Sequence, residues 1–96
     1  MESGGCVYIV TNKNRTTLYT GVTSDLHSRM REHKTHYYPK SFTAKYNCEF
    51  LVYYKFYPLI EEAIAFEKKI KDGSREKKVA LINEMNPGWM DLFEDL

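Results

Sequence analysis

The apolar positions of this chain fall into short runs whose spacing alternates between strand-like and helix-like. Cys6 to Val10 (CVYIV) is a compact apolar run of strand-forming residues. Asn12 to Arg15 is polar turn material, and Thr16 to Thr20 (TTLYT) reads as a second strand ended by Gly21. The short connection favours an antiparallel hairpin. Thr23 or Ser24 can cap a helix that begins near Asp25, with Leu26, Met30 and His33 as its inward stripe, and that fades around Thr35 to Pro39. Residues 36–48 read as a loop. Phe50 to Tyr57 (FLVYYKFY) is apolar at both parities and reads as a strand covered on both sides, ended by Pro58. Leu59 to Lys71 has helical spacing through Ile60, Ala63, Ile64, Glu67 and Ile70. Asp72-Gly73 breaks that helix. Ser74 can cap a last one over about Arg75 to Met85, with Val79, Ile82 and Met85 inward.

The order strand, strand, helix, strand, helix, helix predicts an α+β domain. Residues 6–10, 17–21 and 50–57 should form one three-stranded, mainly antiparallel sheet flanked by helices. Ninety-six residues make a single domain over 1–96, with 87–96 as an acidic C-terminal extension in which Trp89, Leu92 and Phe93 can pack down.

Charge adds an asymmetry to this picture. Residues 1–78 hold all 14 Lys and Arg against 9 acids, a balance of +5, whereas residues 79–96 hold four acids and no base. A basic body with an acidic tail fits binding of a nucleic-acid backbone on one face, and equally fits an ordinary solvated surface. The absence of a long apolar run excludes a membrane span. Glu2 stands where a signal peptide carries a base, so a cytoplasmic location is expected. Cys6 and Cys48 form neither a CxxC pair nor a disulfide framework. Phosphate-cradling GxxxxGK[ST], GxGxxG and HExxH motifs are all missing.

Among polar residues Glu67 is the most informative. Ala63, Ile64 and Ile70 place it on the apolar stripe of its helix, where an ionised carboxylate needs a cation or a metal. The ordinary alternative is a stripe-edge acid that reaches water or an internal Arg. Arg29 and His33 are spaced i, i+4 and share one helical face. Arg can grip a phosphate through two parallel hydrogen bonds, and His can move a proton near neutrality. Either could instead be a surface charge and a partly buried helix residue. Tyr8 and Tyr19 sit in the two hairpin strands, where packing is the usual role, and Gly21 permits a close backbone approach.

Taken together these residues resemble the GIY-YIG nuclease family, in particular its small stand-alone single-domain bacterial branch. Cys6-Val7-Tyr8 matches the first signature triplet and Tyr19-Thr20-Gly21 the second, and Arg29, His33 and Glu67 follow in order. The likeness runs from Cys6 to Leu92, including Phe42 to Tyr46 and Asn86-Pro87-Gly88-Trp89. Departures are Cys6, Val7 and Thr20 within the triplets, Val22 where many relatives carry Lys, Phe66 for Arg and Gly73 for Trp. The resemblance implies a metal-dependent endonuclease that hydrolyses phosphodiester bonds in DNA, with RNA as a second substrate, selecting structure rather than sequence. It implies Tyr8, Tyr19, Arg29, His33 and Glu67 as the catalytic set, with Glu67 holding one Mg²⁺ or Mn²⁺. Gly21, Arg31, Lys34, Lys40, Lys45, Arg75, Lys77 and Lys78 would contact nucleic acid. The competing class is a nucleic-acid binding module with little intrinsic cleavage.

Overall fold

In a computed structural model the protein is described over residues 4–96, so Glu2, on which the targeting argument rests, lies outside the described residues. Strand β1 (Gly5–Thr11) is the centre of a three-stranded sheet of order β2-β1-β3, with β2 (Leu18–Thr23) and β3 (Phe50–Tyr57) both antiparallel to it. This is the expected α+β architecture. All seven residues of β1 are buried, because neighbours cover both its edges and helices cover both its faces. Side chains of alternate parity separate into two cores. Cys6, Tyr8 and Val10 pack with Leu51 against Leu26 and Met30 of α1 (Leu26–Thr35). Val7, Ile9 and Val52 pack on the opposite face against Ala63 and Ile70 of α3 (Ile60–Lys71) and Ile82 of α4 (Arg75–Met85). Helix α3 sits so close to β1 that a Cβ on Gly5 would lie 2.5 Å from Ile60 Cδ1. Among the described residues no helix is long and apolar enough to cross a membrane.

Several local expectations change. The cap of α1 is Asp25, which accepts from Ser28 N at 3.1 Å, because Thr23 is still in β2 and its hydroxyl receives Asp25 N. The stretch read as loop contains a one-turn helix, α2 (Phe42–Lys45), capped by Ser41. Four residues are too few for a periodicity to register, and its inward positions are Thr43 and Ala44. Strand β3 is covered on both sides only at its start: Leu51, Val52 and Tyr53 are buried, but Lys55 and Phe56 face solvent. Ile64 and Met85, expected inward, are exposed; α3 and α4 bury narrower stripes through Ala63, Glu67, Ile70 and Ile82.

The acidic C-terminal segment docks on the first core. Leu92 and Phe93, in a 3-10 turn over Leu92–Asp95, pack against it, and Asp91 accepts from Leu51 N and from the Lys34 ammonium. Asn86 ties the preceding turn by donating to Val52 O and Met90 O and accepting from Met90 N.

Candidate functional site

The hairpin and α1 together create a polar centre inside the first core. In the β1–β2 register Tyr8 stands opposite Gly21. A Cβ on Gly21 would lie 2.4 Å from the Tyr8 hydroxyl, so the tyrosine ring occupies the space that any larger residue there would fill. Glycine is needed for room, and its φ is not in the left-handed region. The Tyr8 hydroxyl lies 2.9 Å from His33 Nε2 and, more distantly, 3.4 Å from Arg29 Nε. His33 Nδ1 lies 2.9 Å from Thr43 Oγ1.

These contacts call for a neutral His33. The guanidinium can only donate, so Tyr8 oxygen accepts from Arg29. A neutral His33 then either accepts the Tyr8 O–H at Nε2 and donates Nδ1–H to Thr43, or donates Nε2–H to Tyr8 and accepts the Thr43 O–H at Nδ1. Burial, with the charge of Arg29 added, pushes His33 down to about 4, so the ring is neutral as either arrangement requires. Burial likewise pushes the Tyr8 hydroxyl up to about 12. Burial opposes the charge of Arg29, but hydrogen bonds to Tyr8 and Glu32 outweigh it and hold the guanidinium charged. Glu32 pairs with Arg29 at 2.9 Å, and the Tyr38 ring lies 5.8 Å away on another side of the guanidinium.

Beside this centre opens a cleft of about 320 Å³, lined by Tyr19, Arg29, His33, Tyr38, Phe42 and Thr43 among others. The two tyrosines differ here. Tyr8 is 1% exposed and does not line the cleft, whereas Tyr19 is half-buried and does, its ring edge 6.0 Å from His33. Glu67 is 8% exposed on α3, and its Oε2 is 2.8 Å from the Lys71 ammonium. It thus meets a lysine one turn along its own helix rather than an internal Arg. Lys71 in turn lies 5.8 Å from the Tyr19 ring, but Glu67 itself does not line the cleft. The hydrogen bond to Glu67 raises the ammonium's pKa.

Among the described residues no three His, Cys, Asp or Glu side chains are grouped to hold a metal. A lone buried carboxylate could serve Mg²⁺ or Mn²⁺, hard ions that keep several waters and take one or two carboxylates plus substrate phosphate, once Lys71 is displaced from it. A caged site is not what these residues build.

The basic residues scatter more widely. Arg31, Lys40 and Lys45 are exposed on or beside α1 and α2. Lys34 is bonded to Asp91 and Glu49 O, and Arg75 to the carbonyls of Arg15 and Thr16. Lys77 and Lys78 line a separate hollow between α3 and α4 that shares no residue with the cleft. The sequence reading passed over Thr43, Glu32 and Lys71. The last two carried a signal, since each stands three or four positions from the charge it pairs with.

Comparison with known proteins agrees with this architecture. The model of the GIY-YIG catalytic domain matches residues 4–80. A similar solved structure is the solution NMR structure of the UPF0213 protein BH0048 from Bacillus halodurans, 29% identical, with a TM-score of 0.57 over 90% of this chain and 89% of that one. No curated protein matches the chain.

Proposed function

The chain belongs to the GIY-YIG family, and on that footing we propose that it is a cytoplasmic, metal-dependent endonuclease. Its reaction is hydrolysis of phosphodiester bonds in DNA, with RNA as second substrate, at sites chosen by strand structure rather than sequence. The observation that carries this reading is the pairing of a charged Arg29 with a neutral His33 through one buried tyrosine at the wall of an open cleft.

In hydrolysis a water oxygen bonds to phosphorus, the bond to the leaving oxygen breaks, and the water's proton must be taken up. Arg29 faces the phosphate and offsets the charge that grows on its oxygens. Tyr19, at the cleft surface, orients the water. His33 has both ring nitrogens engaged, by the Tyr8 hydroxyl and by Thr43, so it orients the wall of the cleft, while Tyr19 passes the water's proton to solvent and the leaving oxygen takes one up. Tyr8 is a positioning residue: its hydroxyl fixes the ring of His33 and steadies the guanidinium. Glu67 would hold Mg²⁺ or Mn²⁺, which when bound stabilises charge on phosphorus and on the leaving oxygen. Arg31, Lys40 and Lys45 steer the backbone toward the cleft, each phosphate contact adding roughly −0.9 to the log-log salt slope on duplex DNA.

The Lys71 ammonium on Glu67 favours a second reading, a binding module with little cleavage, because the carboxylate is already compensated. Nicking of supercoiled, branched and single-stranded substrates in Mg²⁺ or Mn²⁺, with EDTA as control, separates the two. The nuclease reading expects cleavage that EDTA abolishes. Binding without cleavage on every substrate and in both metals would establish the module instead.

A further inference from the structure

The stretch from the end of α1 through α2 presents more aromatic surface than a small domain ordinarily leaves in water. Tyr37, Tyr38, Phe42 and Tyr46 are 66%, 51%, 47% and 41% exposed. They are not scattered singly, as surface aromatics commonly are. Tyr37 and Tyr38 form an edge-on pair with centroids 4.9 Å apart, and Phe42 and Tyr46 a tilted pair at 4.7 Å. Phe42 continues inward to Tyr19 at 5.9 Å. His36 makes the turn that sets this up: it ends α1 in the left-handed region at φ 53°, and Tyr37 N closes back on Glu32 O.

The charge on this shelf has one sign. Residues 33–48 contain Lys34, Lys40 and Lys45 and no acid. Lys34 is bound to Asp91, but Lys40 and Lys45 are exposed, with Lys45 5.4 Å from the Tyr46 ring. The shelf is also continuous with the cleft, since Tyr38 and Phe42 line it and the Arg29 guanidinium lies 5.8 Å from the Tyr38 ring.

Flat π faces interleaved with cations suit a polyanion whose own rings are free to stack. We infer that residues 37–46 are a stacking platform for unpaired nucleotides, and that the substrate enters as a single strand, a flap or a splayed end of DNA or RNA. Every base has a π face, so stacking of this kind tolerates sequence. Bases in a duplex are already stacked on one another and cannot use the platform. A strand whose bases lie on Tyr37, Tyr38 and Tyr46 brings its backbone past Lys40 and Lys45 to Arg29. This inference rests on the nucleic-acid reading of the cleft and names the class of strand the cleft receives. An apolar protein partner would need no lysines among the rings.

The test is equilibrium binding in EDTA, so that cleavage plays no part, with fluorescently labelled oligo-dT, oligo-rU, an abasic single strand and a duplex of equal length. Tyr37→Ala and Tyr46→Ala are compared with Tyr37→Phe and Tyr46→Phe, all checked for folding by circular dichroism. Each Ala variant should weaken binding to at least one of oligo-dT and oligo-rU about fivefold or more. The Phe variants should bind as the unmodified protein does. Duplex and abasic affinity should change less than twofold. The strand that responds more identifies DNA or RNA as the source. Ala variants that bind both oligonucleotides unchanged, or that lose single-strand and duplex binding alike, would overturn the inference. Cleavage without platform dependence overturns it while leaving the nuclease reading intact; platform-dependent binding without cleavage does the reverse.

Discussion

The two halves of the candidate site are built on different principles. On the α1 side, Tyr8, His33, Arg29 and Thr43 form a network whose groups hold one another in fixed orientation inside a core. On the α3 side a lone carboxylate, Glu67, is met by a half-exposed lysine of its own helix. The first arrangement is rigid and complete, because a half-satisfied polar network in a low-dielectric core is strongly penalised. The second is replaceable, because a lysine on a flexible stem can swing away and leave a buried acid for another cation. A phosphate-handling group gains from preorganisation, whereas a metal ligand must exchange partners. On the proposed reading the contrast fits orientation on one side and exchange on the other.

The largest expected effect comes from breaking the first side. Arg29→Ala should lower the cleavage rate on the order of a hundredfold or more, with binding to nucleic acid largely kept, as read by single-turnover kinetics and by affinity. Next come the changes within the network. Tyr8→Phe leaves His33 Nε2 without its partner and should destabilise the fold by about 1–3 kcal/mol in denaturant titration. Tyr19→Phe should leave stability nearly unchanged and lower activity, which separates the two tyrosines. Gly21→Ala forces a Cβ against the Tyr8 hydroxyl and should cost about 1–3 kcal/mol, while Thr20→Val, of similar volume and replacing a buried hydroxyl without a hydrogen-bond partner, should not.

Protonation tests the same network more gently. The unfolded chain takes a proton on His33 as pH falls through about 6.5, but the folded chain does not until about 4. Stability should therefore be full above 6.5 and decline between these values, with a flatter profile in His33→Gln. Tyr8 acts at the other end, contributing below about 10 and losing its contribution as pH rises toward about 12. Smallest is Lys71→Met. An ion pair with one half-exposed partner contributes little, so stability should shift by under about 1 kcal/mol, while Mn²⁺ affinity rises because its competitor is gone.

Much of this molecule was legible from spacing alone. Strand β3 and helix α4 lie at 50–57 and 75–85 as read, because Pro58, Ser74 and Asn86 punctuate them. The i, i+4 spacing put Arg29 and His33 on one face, and the stripe placed Glu67 inward. Which tyrosine would be buried was not legible. Tyr8 and Tyr19 are both strand tyrosines, and only the central position of β1 and the absent side chain of Gly21 bury the first. The partnership of Thr43 with His33 was hidden too, since it depends on a one-turn helix folding back across the end of α1. The exposed rings of residues 37–46 counted as loop for the same reason.

The central claim, that Glu67 anchors the metal at which this protein cleaves nucleic acid, is tested most directly by Glu67→Gln. Unmodified and variant protein are titrated with Mn²⁺, followed by electron paramagnetic resonance, and assayed side by side for nicking. The expected result is a Mn²⁺ site and metal-dependent nicking in the unmodified protein, both lost in the variant while its fold is retained. Equal Mn²⁺ binding and equal nicking in the two proteins would contradict the account.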